Sequence, residues 1–234
     1  MRFKESQADF KFSNRVILFP LLIVIFMWLS FWIELKLNAD FTNYGVFPRT
    51  LSGLKGIFFS PFIHANLKHL LSNSLPIFIL TAGLFYFYSK VAMKVFLIIL
   101  VLQGFGTWLI GREAYHIGAS GVVYGLASFL FFKGIWSRNY RLTAFSLVVV
   151  FIYGSLVWGT IPLDTEISWE GHLSGFLSGF LLAFFVRNNI APPKIYEWQK
   201  KGYDHENDPF LKQFDKNGNF IDPLPETEDT IDED

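Results

Sequence analysis

His116-Ile-Gly-Ala-Ser-Gly-Val-Val-Tyr-Gly125 sets a serine between glycines at the opening of an apolar run that extends to Trp136. The run predicts a helix whose first turn holds Ser120. There, unpaired backbone N–H groups and the positive end of the helix dipole favour a developing negative charge, which is what a serine nucleophile needs. The same stretch has a second use. Gly118, Ser120, Gly121 and Gly125 are the small residues that let two membrane helices approach closely, so the motif alone leaves packing and catalysis both open.

Composition decides the solvent. Of 234 residues, 52% are apolar, 19% aromatic and only 17% charged, far from the balance of a water-soluble domain. Twenty basic and twenty acidic side chains cancel, which argues against a nucleic-acid partner. The absence of cysteine excludes disulfides, thiolate metal sites and a thiol nucleophile. No cofactor or metal is expected. Asp215-Lys-Asn-Gly-Asn219 has the acidic start of a calcium loop, but Phe220 stands where that loop requires glycine and no suitably spaced glutamate follows.

Six uncharged or nearly uncharged stretches, at about 16–33, 67–88, 91–110, 118–136, 142–159 and 171–186, each approach the length that a bilayer core demands. The first is too long for a signal-peptide core and lacks a small-residue cleavage site after it, so it is expected to be retained. Between the first two lies a mixed, aromatic segment with Pro48, Arg49, Gly53, Gly56 and Pro61, expected to be a structured loop with short interfacial helices. Basic residues cluster at the N-terminus, at 89–94, at 133–141 and at Arg187, whereas 160–170 carries only Asp164, Glu166 and Glu170. The positive-inside rule then places both termini in the cytoplasm and the first loop outside. The expectation is an all-α membrane protein with a cytoplasmic segment 1–15, a six-helix membrane domain 16–190 and an acidic, partly disordered tail 191–234.

Polar groups inside such spans need a partner or a cavity. The second span carries His69 and Asn73, preceded by His64. The fourth opens with Gly118, Ser120 and Tyr124, and the sixth with His172, Gly175 and Gly179. All three run in the same direction, so all three clusters sit at one depth near the outer face. Helical spacing puts Ser120 and Tyr124 on one face, and His172, Gly175 and Gly179 on another. If the glycines of the sixth helix close on Gly121 and Gly125, His172 comes within reach of the Ser120 hydroxyl and acts as its general base. Tyr124 then orients the imidazole, while His69, Asn73 and the Ser120 backbone N–H donate to an oxyanion. His64 and His116 fall just outside the spans and qualify for supporting roles only.

Over roughly its first 190 residues, the sequence resembles the rhomboid family of intramembrane serine proteases. The resemblance rests on Gly118-Ala-Ser120-Gly121 opening the fourth span, His172 with its following glycines opening the sixth, and His64-x4-His69-x3-Asn73 in the second. It implies a Ser120–His172 dyad supported by Tyr124, and substrates that are single-span membrane proteins met in the lipid bilayer of a bacterial inner membrane. Many bacterial members carry Trp-Arg in the first external loop. Here Phe47-Pro48-Arg49 occupies the comparable region, which leaves Arg49 as the candidate match. Two rival classes remain at this level: a non-catalytic binder using the same cavity, and a solute transporter, which would ordinarily show paired half-sequences or carboxylates within span interiors.

Overall fold

The computed structural model describes residues 12–137, 139–153, 159–161, 168–186 and 196–221. The chain divides into two compact units, Met1–Pro192 and Pro193–Asp234. Long apolar runs become helices in the first unit, even through Pro20 of the first and Pro76 of the third, with one four-residue turn among them: α1 (Arg15–Leu37), α2 (Gly56–Phe59), α3 (Leu67–Phe87), α4 (Ala92–Ile110), α5 (Ser120–Trp136), α6 (Tyr140–Tyr153) and α7 (Trp169–Phe185). There is no strand among the described residues. By length and composition, α1, α3 and α4 suffice to cross a membrane, while α5 is a shorter apolar helix. Its 17 residues rise roughly 25 Å, short of the roughly 30 Å hydrocarbon core. The expected span from 118 is trimmed because Gly118 takes φ +102° and His116 pairs with Val46 through an isolated antiparallel bridge. The helix therefore begins at the serine itself.

The exterior is apolar. Ile17, Leu18, Leu21, Phe26, Leu29 and Trp32 of α1 are all exposed, and a surface so continuous is stable in lipid rather than water. Inside, Met27, Leu70, Leu80, Leu84, Ile99, Leu126 and Phe129 form one core. The helix α5 is the axis of that core, buried along most of its length and packed against α3, α4, α6 and α7. Trp28 Nε1 donates to Ser74 Oγ at 3.0 Å and ties α1 to α3.

Glycine sets the α5–α7 distance. A Cβ built on Gly175 would lie 2.0 Å from the Gly121 carbonyl oxygen, and one on Gly179 would lie 2.0 Å from that of Gly125. The two backbones thus touch along two turns, as the glycine spacing predicts. At the far end, buried Lys133 of α5 donates from Nζ to the carbonyls of Ala183, at 2.9 Å, and Val186. Ala183 lies in the last turn of α7 and Val186 just past its end, where a cation is favourable.

The segment before α3 folds as short turns at Thr42–Tyr44, Ser52–Lys55 and Ser60–Phe62 around α2, closely packed on itself. Gly53 lies under the Phe47 carbonyl and Gly56 against Gly45 and Val46. In the second unit, short turns at Glu197–Gln199 and Leu211–Gln213 precede a Phe214–Phe220 bridge. There, Asp215 Oδ1 accepts from the backbone N–H groups of Asn217 and Asn219, each at 2.8 Å. The residues that suggested a calcium loop thereby form an Asx-type turn. The acidic stretch 222–234 lies outside the described residues.

Substituting Gly175→Ala should push α5 and α7 apart, because the clashing atom belongs to rigid backbone. We expect a loss of about 1–3 kcal/mol, seen as a lower unfolding midpoint in detergent. An unchanged midpoint would show slack between the helices.

Candidate active site

Ser120 is the first residue of α5, so its hydroxyl and backbone N–H stand at the helix mouth. His172 is the fourth residue of α7, brought close to α5 by the glycine contact one turn below. The His172 Nε2 lies 2.8 Å from Ser120 Oγ, and Nδ1 lies 2.9 Å from the Gly159 carbonyl oxygen. A carbonyl only accepts, so Nδ1 carries the ring proton and Nε2 presents a lone pair to the Ser120 O–H. The Tyr124 ring, one turn below Ser120, stacks on the imidazole with centroids 4.1 Å apart and planes 9° from parallel. Between the ring and Nδ1 there is room only for glycine. A Cβ on Gly159 would lie 2.1 Å from the Tyr124 hydroxyl and 3.0 Å from Nδ1.

The second-span residues approach from α3. Asn66 caps that helix by accepting from the His69 N–H at 2.8 Å, and the His69 ring then lies against Gly118, where an added Cβ would meet Cε1 and Nε2 at 2.6 Å. Gly118 is held there by its N–H donating to the Ser60 carbonyl at 2.8 Å, and its positive φ is one that other residues adopt only with strain. The half-buried His69 ring thus lies against the residue two positions before the serine. Asn73 is buried, and one of its amide N–H bonds is committed to the His69 carbonyl at 2.9 Å. Its immediate task is thus to hold the turn that carries His69.

His64 packs edge-on against the His69 ring, with centroids 5.1 Å apart. Arg49 lies elsewhere. With φ +56°, it donates from its guanidinium to the Gly111 carbonyl at 2.8 Å and from its N–H to the Trp108 carbonyl at 3.0 Å, while Trp108 Nε1 donates to the Thr50 carbonyl at 2.8 Å. Arg49 fastens the first loop to the end of α4. Sequence reasoning passed over the Gly159 carbonyl, which leaves no side-chain signature, and Glu170, which falls in a loop by hydropathy. In the structure, Glu170 is in the first turn of α7 and 2% exposed. It accepts from the Arg112 N–H at 3.1 Å and faces the Arg112 guanidinium at 3.6 Å. Buried Gln103 of α4 was missed as well; its Oε1 lies against Gly121.

Comparison with known proteins identifies the family. Residues 52–189 match the Rhomboid domain, and the chain belongs to the rhomboid family. It is 37% identical over 156 residues to an uncharacterized protein of Mycobacterium tuberculosis, a match that covers 61% of this chain and 63% of that protein's length. An uncharacterized protein of Mycobacterium leprae is 32% identical over 181 residues, with 70% of each chain covered. A putative rhomboid protein of Acanthamoeba polyphaga mimivirus is 29% identical over 171 residues, covering 70% of this chain and 85% of that one.

Burial and the neighbouring His69 push His64 down from 6.5 to about 4. As pH falls, the unfolded chain takes up this proton before the folded one does. The contribution of His64 to stability is therefore complete above about pH 6.5 and is lost as pH falls toward 4. Buried His116, also shifted downward by desolvation, adds in the same direction. The unfolding midpoint should drop across this window, and His64→Leu should flatten the drop. An equal slope in the variant would assign the effect to other groups.

Proposed function

We propose that the protein is a serine endopeptidase working within the membrane, with Ser120 as nucleophile and His172 as general base and then general acid. The observation that carries this reading is the 2.8 Å contact between Ser120 Oγ and His172 Nε2, with the proton on Nδ1 fixed by the Gly159 carbonyl. As Oγ attacks a peptide carbonyl carbon, its proton passes to Nε2. The oxyanion forms at the mouth of α5, where the Ser120 N–H, His69 and the remaining Asn73 donor are the candidate partners. The imidazolium then gives its proton to the leaving amine, and an acyl group remains on Ser120. Water, deprotonated by the same nitrogen, releases it.

Six membrane-crossing helices, both termini cytoplasmic and a first loop outside complete the proposed topology, supported by the basic residues at 89–94 and 133–141. In that topology the short helix α5 starts below the outer surface, and single-span membrane proteins reach Ser120 from the bilayer. The mycobacterial relatives favour a bacterial inner membrane. No cofactor enters any step.

Reconstituted protein with a panel of single-span reporters and a fluorophosphonate probe tests the proposal. Ser120→Ala and His172→Ala should each reduce cleavage to background, with the double variant no lower, because nucleophile and base act as one unit. Tyr124→Phe keeps the stacked ring and should retain most turnover. Tyr124→Ala frees the imidazole and should lose much of it. Folded protein that neither labels nor cleaves would favour the escort-type binder instead.

A further inference from the structure

A second histidine–serine contact lies four residues upstream of the first on both strands of the site. His116 precedes Ser120 by one helical turn's length of chain, and Ser168 precedes His172 by the same interval. The His116 Nδ1 and Ser168 Oγ are 2.6 Å apart. The His116 Nε2 lies 3.1 Å from the Arg112 carbonyl oxygen, which accepts only, so the proton is on Nε2 and the Ser168 hydroxyl donates to Nδ1. That leaves the Ser168 oxygen free to accept, and it caps α7 by taking the Gly171 N–H at 3.3 Å. Its own carbonyl accepts the His172 backbone N–H at 3.1 Å. The backbone of His116 is itself fixed, exchanging hydrogen bonds with Val46 at 2.9 and 3.0 Å. One polar chain thus runs from the loop that delivers the nucleophile to the helix turn that delivers the base.

We propose that His116 and Ser168 are positioning residues, a brace that sets the distance and angle between Ser120 and His172. The inference rests on the proposed dyad. The glycine contact between α5 and α7 fixes how close the helices come, but it leaves them free to slide along their axes. A hydrogen bond between the residues that enter the two helices removes that freedom at the level of the chemistry. Among the described residues, Arg112 and Glu170 are the charged groups that act on His116, one on the preceding turn and one on α7.

The brace needs a neutral imidazole, since a proton on Nδ1 takes away the acceptor for the Ser168 hydroxyl. This gives a test that a merely structural contact would not pass. Ser168→Asp keeps a good helix cap but offers no hydroxyl donor; it pairs fully only with His116 protonated on both nitrogens, because a neutral ring with its proton on Nδ1 would turn a bare Nε2 toward the Arg112 carbonyl. Turnover of a single-span reporter should then fall as pH rises, giving an alkaline limb that wild type lacks. His116→Leu should lower kcat at least tenfold with KM within about twofold. His116→Asn, which can place an acceptor where Nδ1 stood, should recover most of the loss. All rates are compared at a fixed interval below each variant's unfolding midpoint.

Histidine 15N NMR supplies a readout independent of turnover. The His172 Nε2 shift reports the Ser120 hydrogen bond, and it should move in His116→Leu and return in His116→Asn. Equal rates in Leu and Asn variants, no alkaline limb in Ser168→Asp, or an unmoved His172 shift would each overturn the brace. Wild type that fails to label at Ser120 while showing the shift changes would overturn the protease reading and leave the brace standing.

Discussion

The contact that the rest of the structure depends on is between two backbones. Where Gly175 meets Gly121 and Gly179 meets Gly125, the absence of a Cβ lets carbonyl oxygens of α5 occupy space that any other residue of α7 would fill. In lipid there is little hydrophobic force pressing helices together, so close van der Waals approach carries much of the association. The same contact brings the beginnings of α5 and α7 close together, and with them Ser120 and His172. Stability and geometry of the site are therefore one property, and the buried Lys133 ammonium at the opposite end of the pair adds a second anchor.

Much of this was legible because membrane burial imposes strict rules on a sequence. Long uncharged runs separate cleanly from polar ones, and a polar side chain inside a run must have a reason to be there. That logic, together with the depth at which the expected topology sets each cluster and the family resemblance, singled out Ser120, His172, His69, Asn73 and Tyr124 as candidates. Glycine spacing gave the pairing of α5 with α7. Element boundaries were less legible, because the start of α5 depends on a backbone turn at Gly118 and on pairing between Val46 and His116, two residues 70 positions apart.

What the sequence hid was carried by backbone atoms and by loops. A carbonyl oxygen such as that of Gly159 belongs to every residue and advertises nothing. Arg49 was singled out by resemblance to the Trp-Arg of the family's first loop, yet its donors turn to the end of α4. Glu170 read as a loop carboxylate, since hydropathy averages over the turn that buries it against Arg112. In each case the missing information was long-range: which distant peptide group a side chain would face.

The partner of His172 Nδ1 has a consequence for charge. In proteases that use an acid as the third member, a carboxylate balances the imidazolium that forms during the reaction. Here the partner is a neutral peptide carbonyl, so in the proposed mechanism the counter-charge nearest in the reaction is the oxyanion created in the same step, while the buried Glu170 carboxylate faces Arg112. The two charges appear together, a few ångströms apart, and the site passes from neutral reactants to a neutral zwitterion. A fixed anion in this setting would carry a large desolvation cost. Leaving Nδ1 to a carbonyl spares the imidazole a second buried carboxylate at hydrogen-bond distance.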